Sequence, residues 1–310
     1  MRRRRGAAPG VAALAVIAMC GHAAAENADA LRAGTAKDCP DCDLAGETLA
    51  GLDLTGANLS RADLTGANLQ GAILIEAGLE RATLDGANLS DADLSFANLS
   101  RATGTGAVFR GAILHRVNLH RAMLASADLQ DTDLSEASMN LAVLREANLR
   151  GALMSFADLF LADVTFADMS NVYMWQGNTR RARMQRIDVS GAEFIQSDMR
   201  EARLSGATTS PQTSFAQSWL DNTNLRGLDL TGVDFTRTRL RHALLRDCNL
   251  TGADFDRADL LSADLGETIL NGTVFTNANL LNVILPDEGE GRELAVYGNT
   301  TMPDGSTRDP

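Results

Sequence analysis

The chain has 310 residues, of which 28 are basic and 40 acidic, so its net charge at neutral pH is −12. Such an acidic, mixed-charge composition favours solubility and argues against non-specific binding to nucleic acid. Beyond residues 1–25, no segment is long and apolar enough to span a bilayer, which argues against an integral membrane span in the mature chain.

Residues 1–25 are typical of a secretory signal peptide. Arg2 to Arg5 form a charged segment, and residues 11–19 form an apolar stretch that is too short to cross a bilayer. Three alanines ending at Ala25 offer a cleavage site, so we expect a periplasmic or secreted mature chain that keeps 24 basic and 40 acidic residues. Lipidation at Cys20 and an uncleaved anchor are the alternatives.

Residues 26–41 are predicted to form a short N-terminal cap, with a brief helix around residues 27–34. Cys39 and Cys42 form a CxxC motif at the junction with the next segment. In an oxidising compartment a structural disulfide is plausible. Free or partner-bound thiols, a metal site and thiol-redox chemistry are the alternatives, but a metal normally needs about four ligands and a redox CxxC usually opens a helix in a βαβ unit.

An apolar residue returns at every fifth position from Leu44 onward. Of 49 such central positions, only Gly104, Thr179 and Thr209 are not Leu, Met, Val or Phe. A small residue lies two positions before most centres, and it is alanine at 30 of the 49. Cys248 occupies such a position and is predicted to be buried. Because a period of five fits neither a helix nor a flat strand, it predicts a chain that turns a corner every five residues.

Identical residues also recur every 20 positions, which predicts coils of four five-residue units stacked on one another. Arginine does so at one corner, and phenylalanine does so in the second half of the chain. The arginine column is either a solvated edge or a stripe for an anionic ligand or partner. These columns are Arg61, Arg81, Arg101, Arg121 and Phe215, Phe235, Phe255, Phe275.

Residues 57–71 read ANLSR, ADLTG and ANLQG, which resemble the A-(D/N)-L-x-x units of the pentapeptide-repeat proteins. The resemblance covers roughly residues 42–285. It implies an all-β fold, a right-handed four-sided parallel β-helix, with short N- and C-terminal caps. The repeat number then predicts about twelve coils and a rod about 55–60 Å long.

Two places interrupt the repeat. The phenylalanine spacing lengthens by one position between Phe194 and Phe215, which predicts a one-residue bulge at 209–215, close to Pro211. The pattern then ends at Pro286, and residues 286–310 are predicted to form a C-terminal cap or tail, with one strand at 293–297. Coil boundaries near Gly177 and Pro211 are not fixed by the pattern.

The sequence contains no arrangement of residues typical of an enzyme, and we expect no cofactor and no metal. His115, His120 and His242 are predicted to lie on the solvated surface. The aspartates that precede many centres follow the preference of the repeat itself.

A cluster of aromatic and basic residues in the middle coils is the candidate interaction patch. These residues occupy neither central nor small positions, so we expect them to point outward, where apolar groups beside charge are typical of binding sites. Local packing of the aromatics against the wall is the alternative. The patch comprises Phe156, Phe160, Leu161, Phe166, Tyr173, Trp175, Arg180, Arg181, Arg183 and Arg186.

The sequence therefore predicts a non-catalytic, exported scaffold or protein-binding rod, with a protein partner or self-association and no nucleic acid. The family resemblance adds an alternative, an acidic mimic of DNA that binds a DNA topoisomerase such as gyrase. The predicted signal peptide and the arginine columns argue against that alternative. Thiol-redox activity at the CxxC motif is a lesser one.

Overall fold

The computed structural model describes residues 28–31, 33, 37–287 and 291–309. The predicted signal peptide, its cleavage site and Cys20 lie outside these residues. The first described segment is a single helical turn at residues 28–31, where Ala28 and Leu31 are buried against the first coil. Within the part of the chain that is described, no helix is long and apolar enough to cross a bilayer.

Most corners of the coil are β-turns in which the third residue has a positive φ. In an early one, the N–H of Glu47 donates to the carbonyl oxygen of Leu44 at 3.1 Å, and Gly46 has φ of 68°. This is the position of positive φ in a type II turn, which glycine adopts without a steric penalty. Arg61 has φ of 59° at the equivalent position, so coil stacking holds many non-glycine residues in a disfavoured conformation.

Successive coils are joined by parallel hydrogen bonds between positions one coil apart. The N–H of Leu44 donates to the carbonyl oxygen of Asp63 at 2.7 Å. The N–H of Asp63 in turn donates to the carbonyl oxygen of Cys42 at 2.8 Å. Because each straight segment is so short, most pairings are single bridges. The two regular strands of the coils, β1 (Tyr173–Trp175) and β2 (Glu193–Ile195), pair in parallel.

The coils form four walls, which we call A to D after the leucine at the centre of each first segment. Leu44 lies in wall A, Leu49 in wall B, Leu54 in wall C and Leu59 in wall D, and all four are buried. The residue just before each centre faces outward. Two residues after each centre the chain turns, so a corner is named by the walls it joins; Arg61, for example, lies at the D–A corner.

The core contains ladders of buried central and small residues along the length of the rod. In wall C, the rings of Phe194, Phe215, Phe235, Phe255 and Phe275 stack with centroid separations of 4.7–5.6 Å. The stack continues through the change of spacing, as the sequence predicts. Buried hydroxyls at small positions are also satisfied: Thr238 donates to the carbonyl oxygen of Phe215 at 2.8 Å.

The break in the repeat lies at Pro211, where the regular turn requires a positive φ. Proline restricts φ to about −65° and cannot adopt that conformation. The turn instead closes one residue later, where the N–H of Thr213 donates to the carbonyl oxygen of Ser210 at 2.9 Å. Asp188 still pairs with Thr208 at the regular spacing, whereas Glu193 pairs with Ser214, so the register between these coils lengthens by one position.

Beyond Pro286 the chain adds further pairing to the last coil. Val296 pairs with Val274, and the ring of Tyr297 stacks on Phe275 at 5.8 Å. The strand predicted at 293–297 is wrong in its first part, because a 3₁₀ helix occupies Arg292–Leu294. Strands β3 (Thr300–Thr301) and β4 (Thr307–Arg308) then form an antiparallel pair.

Candidate interaction surface

Cys39 and Cys42 lie at the start of the first coil, with their sulfur atoms at disulfide distance and their Cα atoms 5.4 Å apart. Cys39 occupies a central position, since its N–H donates to the carbonyl oxygen of Asn58 at 2.8 Å, as a central leucine would. Both cysteines are buried. Repeat geometry therefore begins one unit before residue 42, inside the segment that the sequence assigned to the cap.

Cys248 is buried at a small position, and its thiol donates to the carbonyl oxygen of Leu225 at 3.0 Å. Burial raises the pKa of this thiol to about 11, so it stays protonated at neutral pH. Because the thiolate is the nucleophile, the folded protein keeps this cysteine unreactive.

The arginine column lies along the D–A corner as predicted. Arg61 donates to both carboxylate oxygens of Asp41, at 2.6 and 2.5 Å, and these hydrogen bonds hold the pKa of Asp41 below its usual range. Arg81 approaches Glu80 at 3.7 Å. In the described part of the chain, Arg101 and Arg121 form no ion pair. The positive charge of the column is therefore partly neutralised at its N-terminal end, at Arg61 and Arg81, whereas Arg101 and Arg121 stay unpaired among the described residues.

The candidate patch divides among three corners and the walls beside them. Phe156 and Trp175 meet edge to face at the C–D corner, with ring centroids 4.8 Å apart, and Tyr173 faces outward on the adjoining wall C. Phe156 and Tyr173 are 46% and 40% exposed. Tyr173 and Trp175 are two residues apart on the outward side of β1, so the three aromatic residues lie close together on this part of the surface.

The D–A corner carries Leu161 and Phe160 beside two paired arginines. Glu201 accepts a hydrogen bond from Arg181 at 2.8 Å and another from Arg180 at 3.3 Å, and these lower the pKa of Glu201. Both arginines are thus held by a single carboxylate, which compensates one of their two positive charges. The Nε of Arg180 and the buried hydroxyl of Thr179 lack hydrogen-bond partners.

The remaining members lie around wall A. Arg186 stacks over Phe166 at the A–B corner, 5.5 Å from the ring centroid, and Arg183 pairs with Asp163 at 3.2 Å on the wall itself. The A–B corner is diagonally opposite the C–D corner. The ten residues therefore cannot all contact one flat partner surface.

A polar groove of about 610 Å³ lies between the C–D corner and wall D. Gln176, Gln196 and Gln217 form its edge, joined by amide hydrogen bonds of 2.9 and 3.0 Å. Trp219 forms its other side and is 46% exposed, with Arg200 5.5 Å above its ring.

His115 and His120 contact neighbouring side chains on the surface, and His242 is exposed. His115 packs edge-on against Phe96 at 5.7 Å, and a ring nitrogen of His120 contacts the side-chain oxygen of Asn140. Among the described residues, no group of three or more His, Cys, Asp or Glu side chains could hold a metal ion.

The largest concentration of exposed aliphatic and aromatic side chains lies on wall C and its C–D corner. Acidic and aliphatic residues alternate from Asp53 to Leu153 in the outward column, which we call the wall C ladder. The apolar members Ile73, Ile113, Leu153 and Tyr173 are 40%, 44%, 49% and 40% exposed. The ladder comprises Asp53, Ile73, Asp93, Ile113, Asp133, Leu153, Tyr173 and Glu193.

Comparison of the sequence with known proteins identifies a family through its repeats. The family model for pentapeptide repeats matches eight copies, within residues 42–103, 105–176 and 212–286. The chain belongs to the pentapeptide-repeat family. For this fold the family implies a right-handed quasi-β-helix, in agreement with the parallel pairing of coils described above. No curated protein shows significant similarity.

Several solved pentapeptide-repeat proteins resemble this one. HetL of Nostoc sp. strain PCC 7120, a protein involved in heterocyst differentiation regulation, is 26% identical over 83% of this chain and 92% of its own, with a TM-score of 0.30. A trypsin-treated variant of QnrB1, a plasmid-mediated fluoroquinolone resistance protein, is 20% identical over 56% of this chain and 88% of its own, with a TM-score of 0.46.

In this pentapeptide-repeat protein, sequence reasoning found the aromatic group at 156–175 but missed Ile73, Ile113 and Leu153. A signal for them is present in the sequence. The residue before the centre is normally polar, and in wall C it is aliphatic at every second coil between residues 73 and 153. Searching the repeat for violations that recur at every second coil would have found these positions.

Proposed function

We propose that this chain is a non-catalytic, exported scaffold that binds another protein along wall C and the adjoining C–D corner. The observation that carries the proposal is the concentration of exposed apolar side chains there, from Ile73 to Tyr173. Exposed apolar side chains concentrated on one face and interleaved with charge, as on this wall, are typical of a protein–protein interface. Wall C, which is flat and regular, could accept a partner without rearrangement.

The aromatic group at the C-terminal end of this surface supports the same conclusion. Phe156, Trp175 and Tyr173 present rings of limited flexibility, which are enriched among residues that contribute most to binding free energy. Phe156 is held at φ of 60°, a conformation that L-residues disfavour. The fold tolerates glycine at the corner position in other coils, so the ring is not required for the turn.

Photo-crosslinking in the native host tests the surface. A photoreactive amino acid replaces Phe156 or Tyr173 in separate variants, and replaces Met123 on wall A as a control. Met123 is also outward-facing and exposed, at 53%. We expect one protein adduct common to positions 156 and 173 and absent from position 123. Identical adducts at all three positions, or none, would contradict binding through wall C.

Export is tested by cell fractionation with intact-mass analysis. We expect recovery outside the cytoplasm, a chain that begins at Glu26, and a mass two units below that of the reduced chain, as a disulfide requires. A full-length, reduced chain in the cytoplasm would contradict export. It would also make the DNA-mimic alternative the hypothesis to test next.

A further inference from the structure

The wall C ladder has a two-coil period. Ile73, Ile113 and Leu153 lie in every second coil, and Asp93 and Asp133 lie in the coils between them, each paired directly with its aliphatic neighbours. At about 4.8 Å per coil, like residues are about 9.6 Å apart along the rod axis. A partner that matches the wall must therefore repeat its own apolar groups at this distance.

The two corners that border wall C differ in the size of their side chains, and the B–C corner leaves the wall open to a ligand. At the B–C corner, Gly71, Gly111 and Gly151 alternate with Asp91 and Asp131, so that edge carries no bulky apolar side chain. Each aspartate leans over the next glycine: a Cβ on Gly111 would lie 2.9 Å from an oxygen of Asp91. The opposite C–D corner is raised by the aromatic rings of Phe96 and Phe156, which are about half exposed.

The charge of this surface is negative in the coils between the aliphatic residues. Asp91 with Asp93, and Asp131 with Asp133, place two carboxylates in each of these coils, and none of the four forms an ion pair in the part of the chain described. One oxygen of Asp93 accepts the backbone N–H of Ser95 at 3.0 Å. The nearby cations are engaged or lie across an edge. Arg110 pairs with Asp128 on wall B, Arg116 pairs with Glu136, and Arg150 lies on the wall B side of the corner.

We propose that wall C binds a basic amphipathic α-helix that lies along the rod axis. This rests on the proposed function and names the partner of the same surface. A heptad in a helix advances about 10.5 Å, close to the two-coil spacing, and three residues advance about 4.5 Å, close to one coil. Apolar residues seven apart then contact Ile73, Ile113 and Leu153, and Lys or Arg three residues after each meets the carboxylate pairs.

An extended strand fits the ladder less well. Alternate side chains of a strand lie about 6.8 Å apart, which matches neither the one-coil nor the two-coil spacing. Helices that lay an apolar face in a groove are a common mode of peptide recognition, with anchors spaced by three, four and seven residues. Charge complementarity selects a basic helix over an acidic one.

A designed peptide tests this inference on the mature chain. It has leucine at every seventh position, lysine three residues after each leucine, and alanine and glutamine elsewhere. Its helicity is checked by circular dichroism, and binding is measured by calorimetry at low salt. A second peptide replaces each lysine with glutamate, and a third keeps the composition but breaks the seven-residue spacing. We expect the lysine peptide to bind and the other two to bind at least tenfold more weakly.

Variants of the protein locate the binding. Ile113→Asn and Leu153→Asn should each weaken the lysine peptide about tenfold, since each removes an apolar contact. Asparagine is tolerated at this repeat position, as at Asn98 and Asn118. Met123→Asn on wall A is the matched control and should leave binding unchanged. Replacing Asp93 and Asp133 with asparagine should weaken the lysine peptide and reduce its sensitivity to salt.

Equal binding to the Ile113→Asn and Met123→Asn variants overturns the inference, as does failure of the lysine peptide to bind or tighter binding of the glutamate peptide. These results are distinct from failure of the proposed function. If no helical peptide binds but positions 156 and 173 still give a common crosslinked adduct, wall C is an interface for a partner of another shape. If the adduct is also absent, both proposals are wrong.

Discussion

At the scale of the residue, the backbone conformation of the corner sets an energetic cost for every side chain other than glycine. The corner residue adopts a positive φ, which costs a non-glycine residue about 1–2 kcal/mol. Glycine occupies it at Gly46, Gly66, Gly86 and Gly106, all along the A–B corner. Phenylalanine, leucine or arginine occupies many of the others, so those side chains are held out toward solvent at an energetic cost.

A pair of glycine substitutions separates the cost of this conformation from the cost of a clash. Gly86 has φ of 65° and open space around an added Cβ, so Gly86→Ala should destabilise the protein by about 1 kcal/mol through the backbone alone. Gly78 has no positive φ, and its added Cβ would make ordinary contacts of 3.7–3.9 Å, so Gly78→Ala should be close to neutral.

Thermal and urea unfolding followed by circular dichroism measure both variants. Gly151→Ala provides a third comparison, because its Cβ would lie 2.5 Å from an oxygen of Asp131 and should add a steric cost. Equal stability of the Gly86→Ala and Gly78→Ala proteins would show that the positive φ is not what constrains the corner.

At the scale of the element, the sequence predicts most of what repeats and little of what departs from the repeat. The periods of five and 20 follow from burial of one large and one small side chain per segment, so the phenylalanine stack from Phe194 to Phe275 was predictable. The pairing of Val296 with Val274 was not, because the preceding residues break the period. The spacing also did not show that the ten residues of the candidate patch divide among several faces, because positions two segments apart lie on opposite sides of the coil.

The break at Pro211 provides a test of the turn geometry. Deleting Gln212 alone would restore the regular spacing but leave proline where φ must be positive, so this variant should lose stability. Combining the deletion with Pro211→Gly should restore the regular turn and recover the melting temperature to within a few degrees of the parent protein.

The two variants are compared by thermal unfolding under the same conditions. A deletion variant that is as stable with Pro211 as with glycine at that position would contradict the explanation of the bulge. The double change leaves wall C between residues 53 and 193 untouched, so it should also keep any binding that maps to this surface.

At the scale of the whole molecule, the stacked coils convert a short sequence period into long, straight columns of side chains. A rod of this kind presents four different columns of outward residues, and in wall C that column alternates between acidic and aliphatic from Asp53 to Leu153. Nothing in the packing of the core requires this alternation, because the outward position accepts Asn, Thr or Ser in other walls. Selection for a partner would explain it.

The most direct test measures the affinity of the crosslinked partner for variants of single walls. The partner is purified and its binding to the mature protein is compared with binding to Leu153→Asn, Tyr173→Asn and Met123→Asn. We predict at least a tenfold loss for the two wall C variants and no change for Met123→Asn on wall A, since each tenfold step corresponds to about 1.4 kcal/mol. Unchanged affinity in both wall C variants, or equal losses in all three, would contradict a scaffold that binds through wall C.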